Sequence, residues 1–312
     1  MRSPWSWVLI FGLVGGLSLA APAPAEAPVR LRIATYNVEN YLDAATDTRV
    51  AKPEASRQRV AQALQLLAAD VVAFQEMGGA DGLTELQRRL GRLGLNYPHS
   101  EIVGGYDTNT QVAVLSRYPI VARRSHADER FLLRGRRFQT TRGILEIDIK
   151  VSSAYRFTLM TVHLKSRRET GSAPQQEVRE QEAQVLRRLI DARLREHPDA
   201  NLVVLGDFND TKDSLTFRTI RGRGRTALID TRPAERNGDT LAAARPGQSP
   251  RNVAWTHFFE REDLYSRVDY ILVSPGMARE WDPQDTYVLA FPDWGEASDH
   301  RPLVATFWAR DR

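Results

Sequence analysis

The chain contains no cysteine, and this absence excludes several kinds of chemistry. Disulfides, thiolate nucleophiles and cysteine-ligated metals all need a thiol, so this protein has none of them. A lipid anchor attached to an N-terminal cysteine is excluded for the same reason. Any catalytic or metal-binding group must therefore be an oxygen or nitrogen side chain.

Lysine is scarce, and arginine supplies almost all of the positive charge. The only lysines are Lys52, Lys150, Lys165 and Lys212, and the formal net charge is +4 because 39 acidic residues offset 43 basic ones. Such a skew toward arginine is typical of a GC-rich genome as well as of a nucleic-acid-binding surface, and net charge alone indicates nonspecific attraction only weakly. With 42% hydrophobic and 26% charged residues, the composition is otherwise that of a folded protein.

Long apolar runs are missing except at the N-terminus. Arg2 supplies a positive charge, residues 5–20 are apolar, and small residues at 18–20 and 23–25 offer cleavage sites. Glycines at 15–16 interrupt this run, whereas a membrane anchor needs about 20 apolar residues. The pattern predicts a signal peptide over residues 1–25 and export to the periplasm or the medium. An uncleaved anchor is the alternative.

No low-complexity linker divides the remaining chain, which we expect to form one domain over residues 29–309. Helical and strand-like patterns alternate at both ends, and strands joined by polar turns fill the middle. This order indicates two packed sheets flanked by helices. The strand-like segments are 31–38, 70–75, 111–115, 142–151, 156–163, 201–205, 268–273, 286–289 and 303–308, and the helical ones are a run beginning at 53–54, 83–93 and 175–195.

Six short motifs place acids, amides or histidines at the ends of these strand-like segments. Such a set, gathered from several strand ends, is suited to a divalent cation and a phosphate group. The motifs are Tyr36-Asn37-Val38-Glu39-Asn40, Phe74-Gln75-Glu76, Thr161-Val162-His163-Leu164-Lys165-Ser166, Leu205-Gly206-Asp207-Phe208-Asn209-Asp210, Ser266-Arg267-Val268-Asp269-Tyr270 and Ser298-Asp299-His300-Arg301-Pro302.

Taken one at a time, these residues also have plainer interpretations. A carboxylate such as Glu76 at the end of a buried strand is typical of an ion pair as well as of a metal site, because an unpaired buried charge is costly. Asn37 fits a turn that ends a strand, and His163 fits a hydrogen-bonded core histidine. Asp207 and Asn209 project to the same side of an extended backbone, but their spacing also suits an Asx turn.

Together and in this order, the six motifs resemble those of the endonuclease/exonuclease/phosphatase superfamily, which has the deoxyribonuclease-I-like fold. The resemblance covers about residues 29–309. It implies an α/β fold, namely a four-layer α/β/β/α sandwich of two mainly antiparallel sheets flanked by helices, with the motif residues at one end of the sheets. The implied activity is metal-dependent phosphoester hydrolysis.

The resemblance also implies a metal site. Mg²⁺ or Mn²⁺ would be bound chiefly by Glu76, with Asn37 and Asp299 beside it. Asp207 would orient the attacking water or protonate the leaving oxygen. Glu39 stands where some relatives have an aspartate that supports the metal, and a solvated loop glutamate is the alternative. Whether one or two metal ions act stays open.

The same resemblance makes His300 the general base, with Asp269 fixing its tautomer and raising its basicity. Whether His300 or Asp207 takes the proton of the water is left open. Asn209 and His163 would contact the scissile phosphate.

Two further assignments come from the deoxyribonuclease branch of the superfamily. Arg142 matches an arginine that contacts phosphate, and Glu101 resembles the glutamate that orients His163. The histidines outside the motifs are interpreted as surface or packing residues: His99, His126, His197 and His257.

The substrate class is the least determined property. The superfamily includes nucleases, inositol-phosphate and lipid phosphatases, and sphingomyelinases. Predicted export and arginine clusters at 134–137 and 221–225 favour nucleic acid, above all DNA, although the same arginines fit solvated surfaces. No aromatic wedge for a membrane is evident in the sequence, although Phe258, Phe259 and Trp294 could form one. A non-catalytic phosphate-binding protein is disfavoured because no motif has lost its chemical group. We expect a monomer without stable membrane association.

Overall fold

The computed structural model describes residues 28–168, 173–236 and 252–310. The predicted signal peptide lies outside the described residues. The helices are α1 (Glu54–Leu67), α2 (Ala80–Arg92), α3 (Gln175–Glu196), α4 (Leu215–Arg221), α5 (Pro275–Ala278) and α6 (Trp294–Ala297). The strands are β1 (Val29–Tyr41), β2 (Val71–Met77), β3 (His99–Val103), β4 (Gln111–Ser116), β5 (Ile120–Arg123), β6 (Arg130–Leu133), β7 (Arg136–Gln139), β8 (Leu145–Lys150), β9 (Arg156–His163), β10 (Leu202–Asp207), β11 (Ile229–Asp230), β12 (Ala234–Glu235), β13 (His257–Phe259), β14 (Leu264–Ser266), β15 (Asp269–Val273), β16 (Trp281–Val288) and β17 (Leu303–Ala309).

Two large sheets form the centre of the molecule. The first has the strand order β12-β16-β17-β1-β2-β4-β3, and the second has the order β11-β15-β10-β9-β8-β5. The pairs β1/β2, β9/β10 and β12/β16 are parallel, and the other pairs in these sheets are antiparallel. The hairpins β6–β7 and β13–β14 stand outside them.

Alternation of side chains along the central strands builds three apolar layers. On β1, Ile33 packs between the two sheets and Ala34 packs against α1 and α2. On β10, Leu205 packs between the sheets and Val204 packs against α3 and α4. Each fully buried aliphatic side chain contributes about 1.5–3 kcal/mol to folding. The order of layers is helix, sheet, sheet, helix, which confirms the predicted α/β/β/α sandwich.

The predicted helices and long strands are present, whereas several short elements were not predicted. The segment 156–163 is strand β9 as predicted, and α3 extends the predicted helix by one residue. The edge strand β3 and the hairpin β6–β7 were missed, because strands of four or five residues carry too few alternations to stand out. No helix in the described part of the chain is both long and apolar enough to cross a bilayer.

Strand directions gather the motifs at one end of the sandwich. Because β9 and β10 are parallel and in register, His163 lies opposite Asp207 at their carboxyl ends. The antiparallel strand β15 begins there, with Asp269 opposite Asp207. In the first sheet, β1 and β2 are likewise parallel, so Asn37 and Glu76 lie near the same edge.

A buried amide joins the two sheets beneath this edge. Gln75 accepts a hydrogen bond from the Thr35 hydroxyl at 3.1 Å and donates one to the Thr161 hydroxyl at 3.1 Å. All three side chains are buried. Since buried polar groups are costly when unpaired, this bridge favours one alignment of the two sheets and therefore of the residues above it.

A buried carboxylate on α3 holds two loops at the same end. Glu182 accepts the backbone N–H of Thr141 at 2.7 Å and that of Lys165 at 2.7 Å. Burial raises the pKa of Glu182, and these hydrogen bonds oppose that rise. The segments on either side of the site are thereby fastened to one helix.

Candidate active site

The centre of the site is a hydrogen bond between His300 and Asp269. Nδ1 of His300 lies 2.8 Å from Oδ2 of Asp269, and both side chains are buried. The Ser298 hydroxyl also accepts the backbone N–H of His300 at 3.1 Å. Burial lowers the pKa of His300, but the carboxylates of Asp269, Asp299 and Asp207 outweigh this effect and hold the pKa well above its usual value.

Asp207, at the end of β10, faces the other nitrogen of His300. Its Oδ2 lies 3.8 Å from Nε2 of His300 and 3.4 Å from Nε2 of His163, and it accepts a hydrogen bond from the Asn37 amide at 3.1 Å. Burial raises the pKa of Asp207 to about 6, and the charge of Asp269 adds to this rise. A carboxyl group with such a pKa can exchange a proton near neutral pH.

Asn209 is positioned by a tight turn after β10. Its φ of 52° lies in the left-handed region, which asparagine tolerates better than most residues. Its N–H donates to Oδ1 of Asp207 at 2.7 Å, and its amide donates to the Leu164 carbonyl at 3.0 Å. A Cβ at Gly206 would lie 2.1 Å from the Val162 carbonyl oxygen, so the turn requires glycine there. Asp207 and Asn209 thus form an Asx turn and also lie side by side at the site.

Glu76 and Asn37 form the part of the site contributed by the first sheet. Glu76 has a φ of 63°, which is strained for a residue other than glycine. Its Oε2 accepts the N–H of Asn40 at 2.9 Å, and its Oε1 lies 3.5 Å from Nδ2 of Asn37. Oδ1 of Asn37 accepts the N–H of Glu39 at 3.0 Å. Asn37 therefore contacts both Glu76 and Asp207 through its side-chain nitrogen, while its side-chain oxygen is occupied by Glu39.

Two groups of three potential metal ligands occur within residues 28–168, 173–236 and 252–310, each with its donor atoms within 4.8 Å of one another. The groups are Asp207, Asp269 and His300, and His257, Asp299 and His300. Both contain His300, and neither contains Glu76. The carboxylates of Glu76 and Asp207, which Asn37 bridges, are hard oxygen donors and fit Mg²⁺ or Mn²⁺ better than these nitrogen-containing groups do.

Asp299 and Glu39, the other predicted acids, lie around a buried lysine. Nζ of Lys52 donates to the Glu39 carbonyl at 2.9 Å and lies 4.0 Å from Oε2 of Glu39. Burial raises the pKa of Glu39, and the carboxylates of Asp299 and Glu76 raise it further. Burial also lowers the pKa of Lys52, against the effect of these acids. Lys52 therefore offsets part of the negative charge on this side of the site.

His163 and Arg142 form the opposite side of the site, where Arg142 carries a positive charge. Nε2 of His163 lies 3.9 Å from Oε1 of Glu76, and its Nδ1 has no hydrogen-bond partner among the described residues. Burial lowers the pKa of His163 well below its usual value, and the guanidinium of Arg142 lowers it further. Nη1 of Arg142 is likewise buried without a partner in the described part of the chain. Both side chains retain polar atoms that can bind an anion.

Glu101 does not make the expected contact with His163. Its carboxylate instead accepts a hydrogen bond from Nε of Arg123 at 2.5 Å. Glu101 lies on β3 and Arg123 on β5, and these are the edge strands of the two sheets. The assignment to an orienting role is therefore corrected: Glu101 joins the sheet edges.

Besides Lys52, two residues at the site were not predicted. His257, interpreted as a surface or packing residue, contacts His300 with ring centroids 4.5 Å apart and the rings tilted by 40°, and it lies 3.5 Å from Asp299. Nη1 of Arg49 lies 3.8 Å from Oε2 of Glu76. Neither belongs to a motif, and Arg49 is one arginine among many, so no local signal separated them from surface residues.

The two arginine clusters lie in different places. The hairpin β6–β7, which carries residues 134–137, packs on α3 through Phe131, and Arg134 forms an ion pair with Glu177 in the first turn of α3. The chain runs from β7 directly to Arg142. Residues 221–225 instead precede β11, which pairs with β15 at Val273 rather than at its site end. That position is about 13 Å from the start of β15, so this cluster does not border the site.

Comparison with known proteins agrees with this geometry. The model of the Endonuclease/Exonuclease/phosphatase family matches residues 34–300. No curated protein sequence matches the chain.

Several solved structures share the fold. The human Nocturnin catalytic domain with bound sulfate has a TM-score of 0.61 at 18% identity, covering 91% of this chain and 95% of that one. Sphingomyelinase C from Streptomyces griseocarneus has a TM-score of 0.58 at 18% identity, covering 89% and 99%. The Neisseria 3′ phosphatase NExo bound to a product DNA hairpin has a TM-score of 0.57 at 21% identity, also covering 89% and 99%.

Proposed function

The chain belongs to the endonuclease/exonuclease/phosphatase family, and we propose that within this family it is a metal-dependent phosphodiesterase that acts on nucleic acid, above all DNA. Members of the family are generally phosphoester hydrolases. One observation carries the assignment to this chain: Asp269, His300, Asp207 and Glu76 converge with Asn37 at one end of the paired sheets.

The His300 and Asp269 pair is assigned the activation of water. The 2.8 Å hydrogen bond fixes Nδ1 toward Asp269 and leaves Nε2 directed at Asp207. From this position Nε2 would accept a proton from a water molecule attacking phosphorus in line with the leaving oxygen. The phosphorus–oxygen ester bond then breaks, the leaving oxygen takes a proton from solvent, and Asp207 orients the attacking water. No covalent enzyme intermediate is required.

Glu76 and Asp207 would hold Mg²⁺ or Mn²⁺, with Asp299 and Glu39 nearby. A bound divalent cation supplies charge stabilisation to the phosphoryl oxygens as negative charge develops. The chain's own contribution is to keep these carboxylates close despite their mutual repulsion. Asn37 does so through its amide, which reaches both Glu76 and Asp207.

The phosphate itself would be bound by His163, Asn209 and Arg142. Nη1 of Arg142 is a buried N–H donor without a partner in the described part of the chain. An unmet buried donor costs about 1–3 kcal/mol, and a phosphate oxygen that accepts from it would recover this cost. The bound sulfate of the Nocturnin structure is compatible with an anion site in this fold.

Nucleic acid is favoured as the substrate by the position of the β6–β7 hairpin. Arg130, Arg136 and Arg137 on this hairpin are exposed, and β7 leads directly to Arg142. Arginines placed along such a path attract a phosphate backbone through counterion release. The Neisseria structure, which contains a product DNA hairpin, supports DNA as a substrate class.

A sphingomyelinase-type phosphodiesterase is the second candidate, and a specific observation favours it. Trp255, Phe258, Tyr265 and Trp294 form a ring cluster on and around the β13–β14 hairpin, with centroids 4.5–6.5 Å apart. Phe259 is 39% exposed and Tyr265 is 53% exposed. The hairpin is close to the site because the His257 ring contacts the His300 ring. Exposed aromatic surface of this kind suits a lipid interface.

A substrate panel tests the proposal. The purified protein is assayed with DNA, RNA, sphingomyelin, inositol phosphates and a small phosphodiester, with Mg²⁺, with Mn²⁺ and with EDTA. We expect DNA to be cleaved fastest, and EDTA to abolish turnover because the hard oxygen ligands need a divalent cation. Full activity in excess chelator would contradict the metal assignment. Faster cleavage of sphingomyelin or of an inositol phosphomonoester would reject the nuclease assignment.

A further inference from the structure

Three loops meet beside the phosphate-binding residues and bring two arginines onto one aspartate. Arg49 comes from the loop between β1 and α1, Asp107 from the loop between β3 and β4, and Arg142 from the segment that leads into β8. Oδ2 of Asp107 lies 3.3 Å from Nη2 of Arg142 and 3.6 Å from Nη2 of Arg49. These three residues are called the arginine cluster.

The contacts inside the arginine cluster are loose. Charge-assisted N–H···O⁻ hydrogen bonds are usually about 2.7–2.9 Å long, and both distances to Asp107 exceed this. Nε of Arg142 reaches the Thr110 hydroxyl only at 3.4 Å, and its Nη1 is buried without a partner among the described residues. A buried guanidinium with an unmet donor is costly unless a ligand satisfies it. Since Nη1 is assigned to the scissile phosphate, the groups available to a second anion are the two Nη2 atoms that Asp107 holds loosely, one on Arg142 and one on Arg49.

The arginine cluster borders the catalytic groups and places two arginines against one aspartate. Nη1 of Arg49 lies 3.8 Å from Oε2 of Glu76. After burial, the charges of Arg142 and Arg49 contribute to the lowered pKa of His163. Lys165 lies nearby as a third cation, since the charge of Arg142 adds to the effect of burial in lowering its pKa. An anion bound here would lie next to the scissile phosphate and would face more than one positive charge.

Backbone packing fixes one part of the cluster and leaves the other free to change partner. A Cβ at Gly105 would lie 2.6 Å from Cα of Arg142, so the loop that carries Asp107 rests directly on that backbone. The N–H of Asp107 donates to the Thr141 carbonyl at 2.8 Å. The Arg49 side chain is 27% exposed. Its Nη1 donates to Oδ1 of Asn40, and its Nη2, which lies 3.6 Å from Asp107, is the group that can exchange a carboxylate for a ligand.

We propose that Arg49 and Arg142 form a clamp for a terminal phosphate of the substrate, and that Asp107 is the internal counter-ion that this phosphate displaces. The inference rests on the proposed function and narrows its substrate to strands with a phosphorylated end. A terminal phosphomonoester carries about −1.5 to −2 charges at pH 7 and presents three oxygens. It thus matches two planar guanidinium groups better than a singly charged backbone phosphodiester does.

Binding in EDTA tests the clamp independently of hydrolysis. Fluorescently labelled single strands of one DNA sequence, ending in phosphate or hydroxyl at the 5′ or the 3′ end, are titrated with the full chain. We expect phosphate at one of the ends to lower Kd by about tenfold, the effect of one charge-assisted hydrogen bond. Arg49→Gln should bring the ratio of the two Kd values to about one. Asp107→Asn should increase the ratio, because the competing carboxylate is gone.

Arg117→Gln is the matched control. Arg117 pairs with Asp70 at 3.2 Å, and Asp70 immediately precedes β2 while Glu76 lies near its other end. This variant should keep the wild-type ratio. In the wild type, equal Kd values for phosphate-ended and hydroxyl-ended strands would overturn the clamp. A ratio of these Kd values that Arg49→Gln leaves unchanged would overturn it too. A fall of the ratio in Asp107→Asn would also overturn it, since a merely structural aspartate predicts that direction.

Hydrolysis of the same strands with Mg²⁺ distinguishes failure of the clamp from failure of the proposed function. Cleavage without preference for a phosphorylated end overturns the clamp and supports the phosphodiesterase. A Kd ratio that depends on Arg49, in a protein that cleaves none of the strands, supports the clamp as a binding site and overturns the proposed activity on DNA.

Discussion

Among single residues, His300 and Asp207 have environments that separate their acid–base behaviour. The carboxylates around His300 outweigh burial and raise its pKa well above 6.5, whereas burial raises the pKa of Asp207 to about 6. The two side chains are 3.8 Å apart. Pairs of titratable groups whose pKa values are shifted by their surroundings are typical of acid–base catalysis. The pH dependence of turnover can therefore identify the base.

Asp269→Asn provides that test at the residue scale. With His300 as base, kcat/KM of the wild type rises with pH on the alkaline side of 6.5, as the imidazole loses its proton. Removal of the carboxylate lowers the pKa of His300, so the rising limb should move to lower pH, and maximal kcat should fall by at least about a hundredfold. If the limb lies near pH 6 in both proteins, Asp207 is the base instead.

The stability of the same variant should depend on pH in a defined direction. Because folding raises the pKa of His300, its contribution to stability is complete below about pH 6.5 and is lost as pH rises through the folded-state pKa. The difference in Tm between the wild type and Asp269→Asn should therefore be largest at acid pH and should shrink at alkaline pH. A difference in Tm that is independent of pH would contradict the ion pair.

At the scale of elements, the hairpin β6–β7 and the segment 221–225 have similar arginine content but different positions. The hairpin packs on α3 and leads to Arg142. The segment 221–225 lies toward the far end of β15, and its backbone is held by Arg187, which donates to the carbonyls of Ile220 and Arg221. We therefore expect the hairpin, and not the segment 221–225, to attract DNA.

Matched double variants test this difference between the elements. Arg136→Ala/Arg137→Ala and Arg223→Ala/Arg225→Ala each remove two positive charges. The hairpin variant should raise KM for DNA and reduce the slope of log KM against log salt by about one to two, since each lost phosphate contact releases about one counterion fewer. The variant in 221–225 should behave as the wild type. Equal effects of the two double variants would mean that the total charge of the protein, and not the position of the hairpin, determines its attraction for DNA.

At the scale of the whole molecule, the sandwich is known from the structure, whereas export is proposed from the sequence. The sandwich is described over 28–168, 173–236 and 252–310, whereas the proposed signal peptide at 1–25 lies outside these residues. Its composition alone supports export: a charged start, an apolar stretch and small residues before Glu26.

Expression of the full chain in a bacterial host tests export. Cell fractions are separated, and the N-terminus of the protein in each is sequenced. We expect mature protein in the periplasm or the medium, beginning at Glu26 if cleavage follows Ala25. Recovery of intact Met1 in the cytoplasmic fraction would contradict export, and an intact chain in the membrane fraction would favour an uncleaved anchor.

The sequence by itself determined the layering and most of the candidate site. The alternation on β1 and the continuous apolar run of β10 are local properties of the chain. They were sufficient to predict strands, the helices that cover them and hence two sheets. The motif residues were found because their chemistry is concentrated at strand ends, where Asp207 and Asn209, or Asp299 and His300, stand close together in the chain.

Only the tertiary structure decided which distant residues meet. Arg49, Asp107 and Arg142 come from three loops, and His257 reaches His300 through the β13–β14 hairpin. Glu101 contacts Arg123 because two sheet edges are neighbours, and residues 221–225 lie away from the site because β11 pairs at the far end of β15. Such contacts depend on strand order and register, which are set by the packing of the whole core and leave no periodic signal in any one segment.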